Sequence, residues 1–63
     1  MDKLPKIVQE EINILSKMYE ETSPRDYTLK SLIMTELKGY LRALEHMGLI
    51  TKNEKIAIIH SVV

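Results

Sequence analysis

Apolar residues recur at three- and four-residue intervals through much of this chain, and that periodicity constrains the fold more than any other property. At 100° per residue, Leu4, Val8, Ile12, Leu15 and Tyr19 fall on one stripe, with Gln9, Glu10, Asn13, Ser16, Lys17 and Glu20 opposite. A helix from Leu4 to about Glu21 follows, with Pro5 in the first turn, where its missing N–H is not needed. A second stripe, Ile7, Ile14 and Met18, lies about 100° from the first. One stripe suffices for an internal core. Either the rest of the chain wraps a broad buried face, or these three residues form a homodimer interface. Left in water, each would forgo about 1.5–3 kcal/mol.

The need for such packing is set by length. A 63-residue chain without cysteine has neither disulfides nor thiolate metal sites to staple it. A domain of this size buries only about 60 % of the surface its unfolded chain exposes, so self-association would help. One domain, residues 1–63, is expected. Nine Lys plus Arg balance nine Asp plus Glu, yet the halves differ. Residues 1–27 carry four basic against six acidic side chains, and residues 28–63 carry five against three. The C-terminal half is the side suited to a polyanion. Apolar runs of three or four residues fall far short of the roughly 20 a membrane span needs, and the Met1-Asp2-Lys3 start lacks a signal peptide's apolar core. A cytoplasmic protein with no membrane partner is expected.

Thr22-Ser23-Pro24 separates the first helix from the next, with Ser23 as the expected N-cap, Pro24 at N1 and Asp26 at N3. From there to Met47 the spacing of Leu29, Ile33, Leu37, Leu41 and Leu44 fits one helix of about 24 residues. It fits equally well two helices with a tight turn near Ser31 to Met34. Two features favour a break. Leu32-Ile33-Met34 is apolar on every side, and Thr35-Glu36 can cap a new helix. Gly48 stops the helix. Residues 49–52 and 56–60 then read as a two-stranded β-hairpin, because Ile56-Ala57-Ile58-Ile59 is rich in β-branched residues and Lys52-Asn53-Glu54-Lys55 suits the turn.

The stretch Leu41-Arg42-Ala43-Leu44-Glu45-His46-Met47-Gly48-Leu49-Ile50 resembles the end of the recognition helix and the start of the wing in winged helix-turn-helix domains of the MarR-like and PadR-like groups. In those groups it commonly reads L-x-x-L-E-x-x-G-L-I, and Leu37 falls where the recognition helix has its first core residue. The resemblance covers residues 24 to 60. It implies a mainly α, three-helix domain with a small C-terminal β-hairpin, binding double-stranded DNA as a transcriptional regulator.

The helical wheel gives a matching surface from the residues themselves. With Leu37, Leu41, Leu44 and Gly48 inward, the outward arc holds Thr35, Lys38, Gly39, Arg42 and His46 and no acid. Gly39, costing roughly 1 kcal/mol in mid-helix, lets another backbone come close. Arg42 suits guanine, Lys38 and Thr35 suit phosphates, and Lys52, Asn53 and Lys55 at the hairpin tip suit the DNA backbone or minor groove.

No catalytic constellation, metal site, cofactor motif or small-molecule ligand is identifiable. Glu10-Glu11 and Glu20-Glu21 diverge on a helix, and two histidines without cysteine make no metal site. The expectation is therefore a non-enzymatic, homodimeric DNA-binding regulator. The alternative is a helical interaction module, an inhibitor or adaptor. There residues 24–47 form one helix antiparallel to the first, two copies make a four-helix bundle, and the C-terminal strand adds to a partner's sheet.

Overall fold

The computed structural model describes residues 4–62, which form α1 (Lys6–Glu21), α2 (Tyr27–His46) and α3 (Lys52–Val62). Pro5 is the N-cap of α1, and its carbonyl accepts the Val8 and Gln9 N–H groups at 3.0 and 3.1 Å. The Gln9 side-chain amide donates to the Leu4 carbonyl at 2.8 Å, which fixes the chain entering the helix and holds Leu4 in the core. At the far end the Thr22 hydroxyl donates to the Met18 carbonyl at 2.7 Å and closes the last turn.

Residues 22–26 turn the chain into α2, making an antiparallel helical hairpin. The cap differs from the expected one. Asp26, not Ser23, is the N-cap, and its Oδ1 accepts the Leu29 N–H at 3.1 Å. The Ser23 Oγ accepts the Arg25 N–H at 3.3 Å and its carbonyl accepts the Asp26 N–H at 2.9 Å, so Ser23 and Pro24 shape the turn. A carboxylate at the positive end of the helix serves as cap and counter-charge at once, which favours Asp26 over a hydroxyl.

α2 runs unbroken for 20 residues, so the break near Ser31 to Met34 is absent. Leu32, Ile33 and Met34 meet three different surroundings: Ile33 is buried, Met34 packs against the core near α3, and Leu32 faces solvent. Thr35 caps nothing; its hydroxyl donates back to the Ser31 carbonyl at 2.8 Å inside the helix. Gly48, at φ 77°, ends α2 in a paired-bond stop: Leu49 N–H donates to the Leu44 carbonyl at 2.9 Å and Gly48 N–H to the Glu45 carbonyl at 3.0 Å.

The C-terminal β-hairpin is not formed; no strand exists among the described residues, and α3 stands in its place. The reason is a reciprocal capping box. Thr51 N–H donates to Glu54 Oε1 at 2.9 Å, and Glu54 N–H donates to Thr51 Oγ1 at 3.1 Å. The β-branched Ile56, Ile58 and Ile59 lower helix propensity by at most about 0.7 kcal/mol each. Ile58 and Val62, one turn apart, both enter the core, and each buried side chain returns about 1.5–3 kcal/mol. Burial wins. One core joins Leu4, Ile12 and Leu15 of α1, Leu37, Leu41 and Leu44 of α2, Ile50 of the connection, and Ile58 and Val62 of α3.

Candidate interaction site

α3 covers only one side of the α1/α2 hairpin. Its first turn is tied to α2 by Lys55 Nζ, which donates to Glu45 Oε1 at 2.5 Å. Its last turn brings Val62 to an open groove shared with Tyr19, Glu20, Lys30 and Met34. There Lys30 Nζ lies 4.0 Å above the Tyr19 ring and donates to the Tyr19 carbonyl at 2.7 Å, pinning α2 to α1 beside the turn.

Glu45, Met34 and Glu20 thus mark the α3 side of the hairpin. On helical wheels Ile7, Ile14 and Met18 of α1 fall on the opposite side, and so do Leu29, Leu32 and Met47 around α2. All six are exposed, Ile7 at 74 %, Met47 at 63 % and Leu32 at 62 %, whereas Leu37 and Leu41 are at 0 %. The second apolar stripe of α1 is therefore not wrapped by the described chain. It continues onto α2 at Leu29, Leu32 and Met47, with Glu36 on the same arc. The α2 members escape a reading of periodicity alone, since Leu29 shares the core spacing and yet is 44 % exposed. The all-round apolar Leu32-Ile33-Met34, read above as favouring a break, is the signal from which an exposed Leu32 follows once the helix is continuous.

The residues expected to meet DNA divide into two groups. Thr35, Lys38, Gly39, Arg42 and His46 are all exposed along the outer side of one unbroken helix. Lys52, Asn53 and Lys55 are not a hairpin tip; they form the first turn of α3. Lys52 and Asn53 remain exposed, but Lys55 is turned inward to Glu45 and is committed to that ion pair. The Lys55 hydrogen bond holds the Glu45 carboxyl below its ordinary range against the opposing effect of desolvation, helped by the charges of Lys55, Lys52 and Arg42. The cations at this end thus converge on an acid that the outward arc of α2 left out. Tyr27 is 79 % exposed at the start of α2, whereas Tyr19 and Tyr40 pack half-buried against the core.

Among the described residues no three acidic or histidine side chains gather where they could hold a metal, and no helix is long and apolar enough to cross a membrane. The arrangement offers two exposed surfaces, one apolar and one basic. Comparison with known proteins finds no matching family model, no matching curated protein and no matching solved structure.

Proposed function

We propose that this chain is a non-enzymatic helical interaction module whose working surface is the apolar side of the α1/α2 hairpin. The observation that carries this reading is the exposure of Ile7, Ile14, Met18, Leu29, Leu32 and Met47 on the side away from α3. An apolar face of this kind, interrupted on α2 by Glu36, marks a surface that a protein partner covers. The chain contains no cysteine, so a single thiol placed at Ile14 or Leu32 reports on that face alone. Alkylation of these thiols is expected to be fast in the dilute isolated chain and slow inside the cell, while a thiol at Asn13 reacts equally fast in both. Equal rates at all three positions would end this reading. A cytoplasmic location belongs to the same proposal and is read out by cell fractionation.

A second reading is binding to double-stranded DNA, favoured by the exposure of Thr35, Lys38, Gly39, Arg42 and His46 along one side of α2. It does not require a wing, and it uses Lys52 and Asn53 at the start of α3 as added phosphate contacts. Duplex binding at low salt that weakens as salt rises, and drops on Arg42→Ala, is the expected result. Absence of binding to mixed-sequence duplex at low salt removes it.

A further inference from the structure

We infer that the occupant of the apolar face is a second copy of this chain, with α1 of each copy antiparallel to α2 of the other. This rests on the reading of that face as a docking surface. The first argument is area. The chain exposes 4665 Å², against about 4200 Å² for a compact monomer of 7.3 kDa. The six exposed apolar side chains account for several hundred Å², approaching the roughly 800 Å² that each partner gives to a standard interface.

The second argument is extent. From Ile7 to Met18 the stripe covers about 16 Å of α1; opposite it, Leu29 and Leu32 lie at the turn end of α2 and Met47 at its far end, with Glu36 and Ala43 on the same arc between them. Two such faces closed on each other make a four-helix core, with an α3 on each outer side.

The third argument is charge, and it selects the arrangement. Around this face α1 carries Glu10, Glu11 and Glu21 against Lys6 and Lys17, whereas α2 carries Glu36 balanced by Arg42; Glu20, Lys30 and Glu45 lie on the α3 side. A two-fold axis along the helices sets the net-acidic edge of α1 beside the charge-balanced edge of the partner's α2. A two-fold axis across them sets α1 against α1, acid against acid. The first is favoured. Gly39 lies on the α2 rim of this face, and a Cβ built there meets nothing within 4 Å, which leaves room for the neighbouring α1.

Sedimentation equilibrium from micromolar to millimolar chain is expected to approach twice the 7.3 kDa chain mass. Ile14→Glu and Leu32→Glu should each weaken association on the order of 100-fold. Circular dichroism should stay unchanged, because both side chains are already exposed. Chains carrying Ile14→Cys or Glu36→Cys, mixed and oxidised, should give mainly the mixed disulfide, since the two positions lie near the same height of the hairpin. Predominance of the Ile14→Cys homodisulfide overturns the arrangement. A monomer at every concentration, or a dimer indifferent to both glutamates, overturns the inference. If the chain is monomeric and yet its Ile14 and Leu32 thiols are protected in cells, the docking reading stands with another protein as occupant. If they are not protected, both fall.

Discussion

The two sides of the α1/α2 hairpin are built from the same kinds of residue and end differently. On one, α3 closes the core over Leu37, Leu41 and Leu44, aided by Ile58, Val62 and the Lys55–Glu45 pair. On the other, Ile7, Ile14, Met18, Leu29, Leu32 and Met47 remain in solvent. The difference lies in supply. An 11-residue third helix has one apolar side to give, and it covers one side of a hairpin whose α2 is 20 residues long. The apolar periodicity this chain carries beyond that stays exposed.

The sharpest way to break this comparison is a paired truncation. Leu41→Ala removes a fully buried side chain and is expected to cost about 2–5 kcal/mol in chemical denaturation. Leu32→Ala, at 62 % exposure, is expected to stay within about 0.5 kcal/mol at concentrations where the chain is monomeric. A large loss at Leu32 under those conditions would mean that the open side is covered by the chain itself.

A second pair separates the two glycines. Gly48 holds φ 77° at the α2 stop, so Gly48→Ala is expected to destabilise by about 1–2 kcal/mol through backbone strain alone, since an added Cβ meets nothing within 4 Å. Gly39→Ala has the same free space in ordinary helical backbone and is expected to stabilise the monomer by up to about 1 kcal/mol. Opposite signs in thermal melts check both. Thr51→Ala removes one half of the α3 capping box and should cost about 1 kcal/mol, with amide exchange rising in α3 before α1 or α2.

The smallest effect is in acid. Because Lys55 holds the folded Glu45 carboxyl below its ordinary 4.5, the contribution of the pair is complete above that value and is lost as pH falls through the lowered one. The acid limb of the melting curve should therefore flatten in Glu45→Gln. An unchanged limb would show that α3 is held by Ile58 and Val62 without help from the ion pair.

The comparison also explains where a linear reading succeeded. α1 and the inward spacing of Leu37, Leu41 and Leu44 follow from periodicity, since a stripe repeating every three or four residues has no other way to be buried together. The hairpin expected at 49–60 failed because β-branched content outweighed a local signal. Thr51-x-x-Glu54 is a capping box, and Ile58, Ile59 and Val62 are spaced for a helix face. The resemblance of Leu44 to Ile50 to a recognition-helix end has a local cause of its own. Leu44, Gly48 and Leu49 are the residues a paired-bond helix stop requires, and Ile50 is simply the next core residue. Such a stop serves any fold in which a helix must end and turn back. Of the candidate surface, Ile7, Ile14 and Met18 were legible as an extra stripe, whereas Leu29, Leu32 and Met47 were not.

By itself the sequence determined the first helix, the inward face of the second, the glycine stop and the excess of apolar surface, because each depends on contacts within a few residues or on a repeat that a helix alone satisfies. Only the tertiary structure decided that residues 27–46 run unbroken, that Ile58 and Val62 of the capped C-terminal helix enter the core, and which apolar residues stay outside. Those outcomes turn on which side of the hairpin α3 lands and what it covers there, a choice made by long-range burial, which no local pattern encodes.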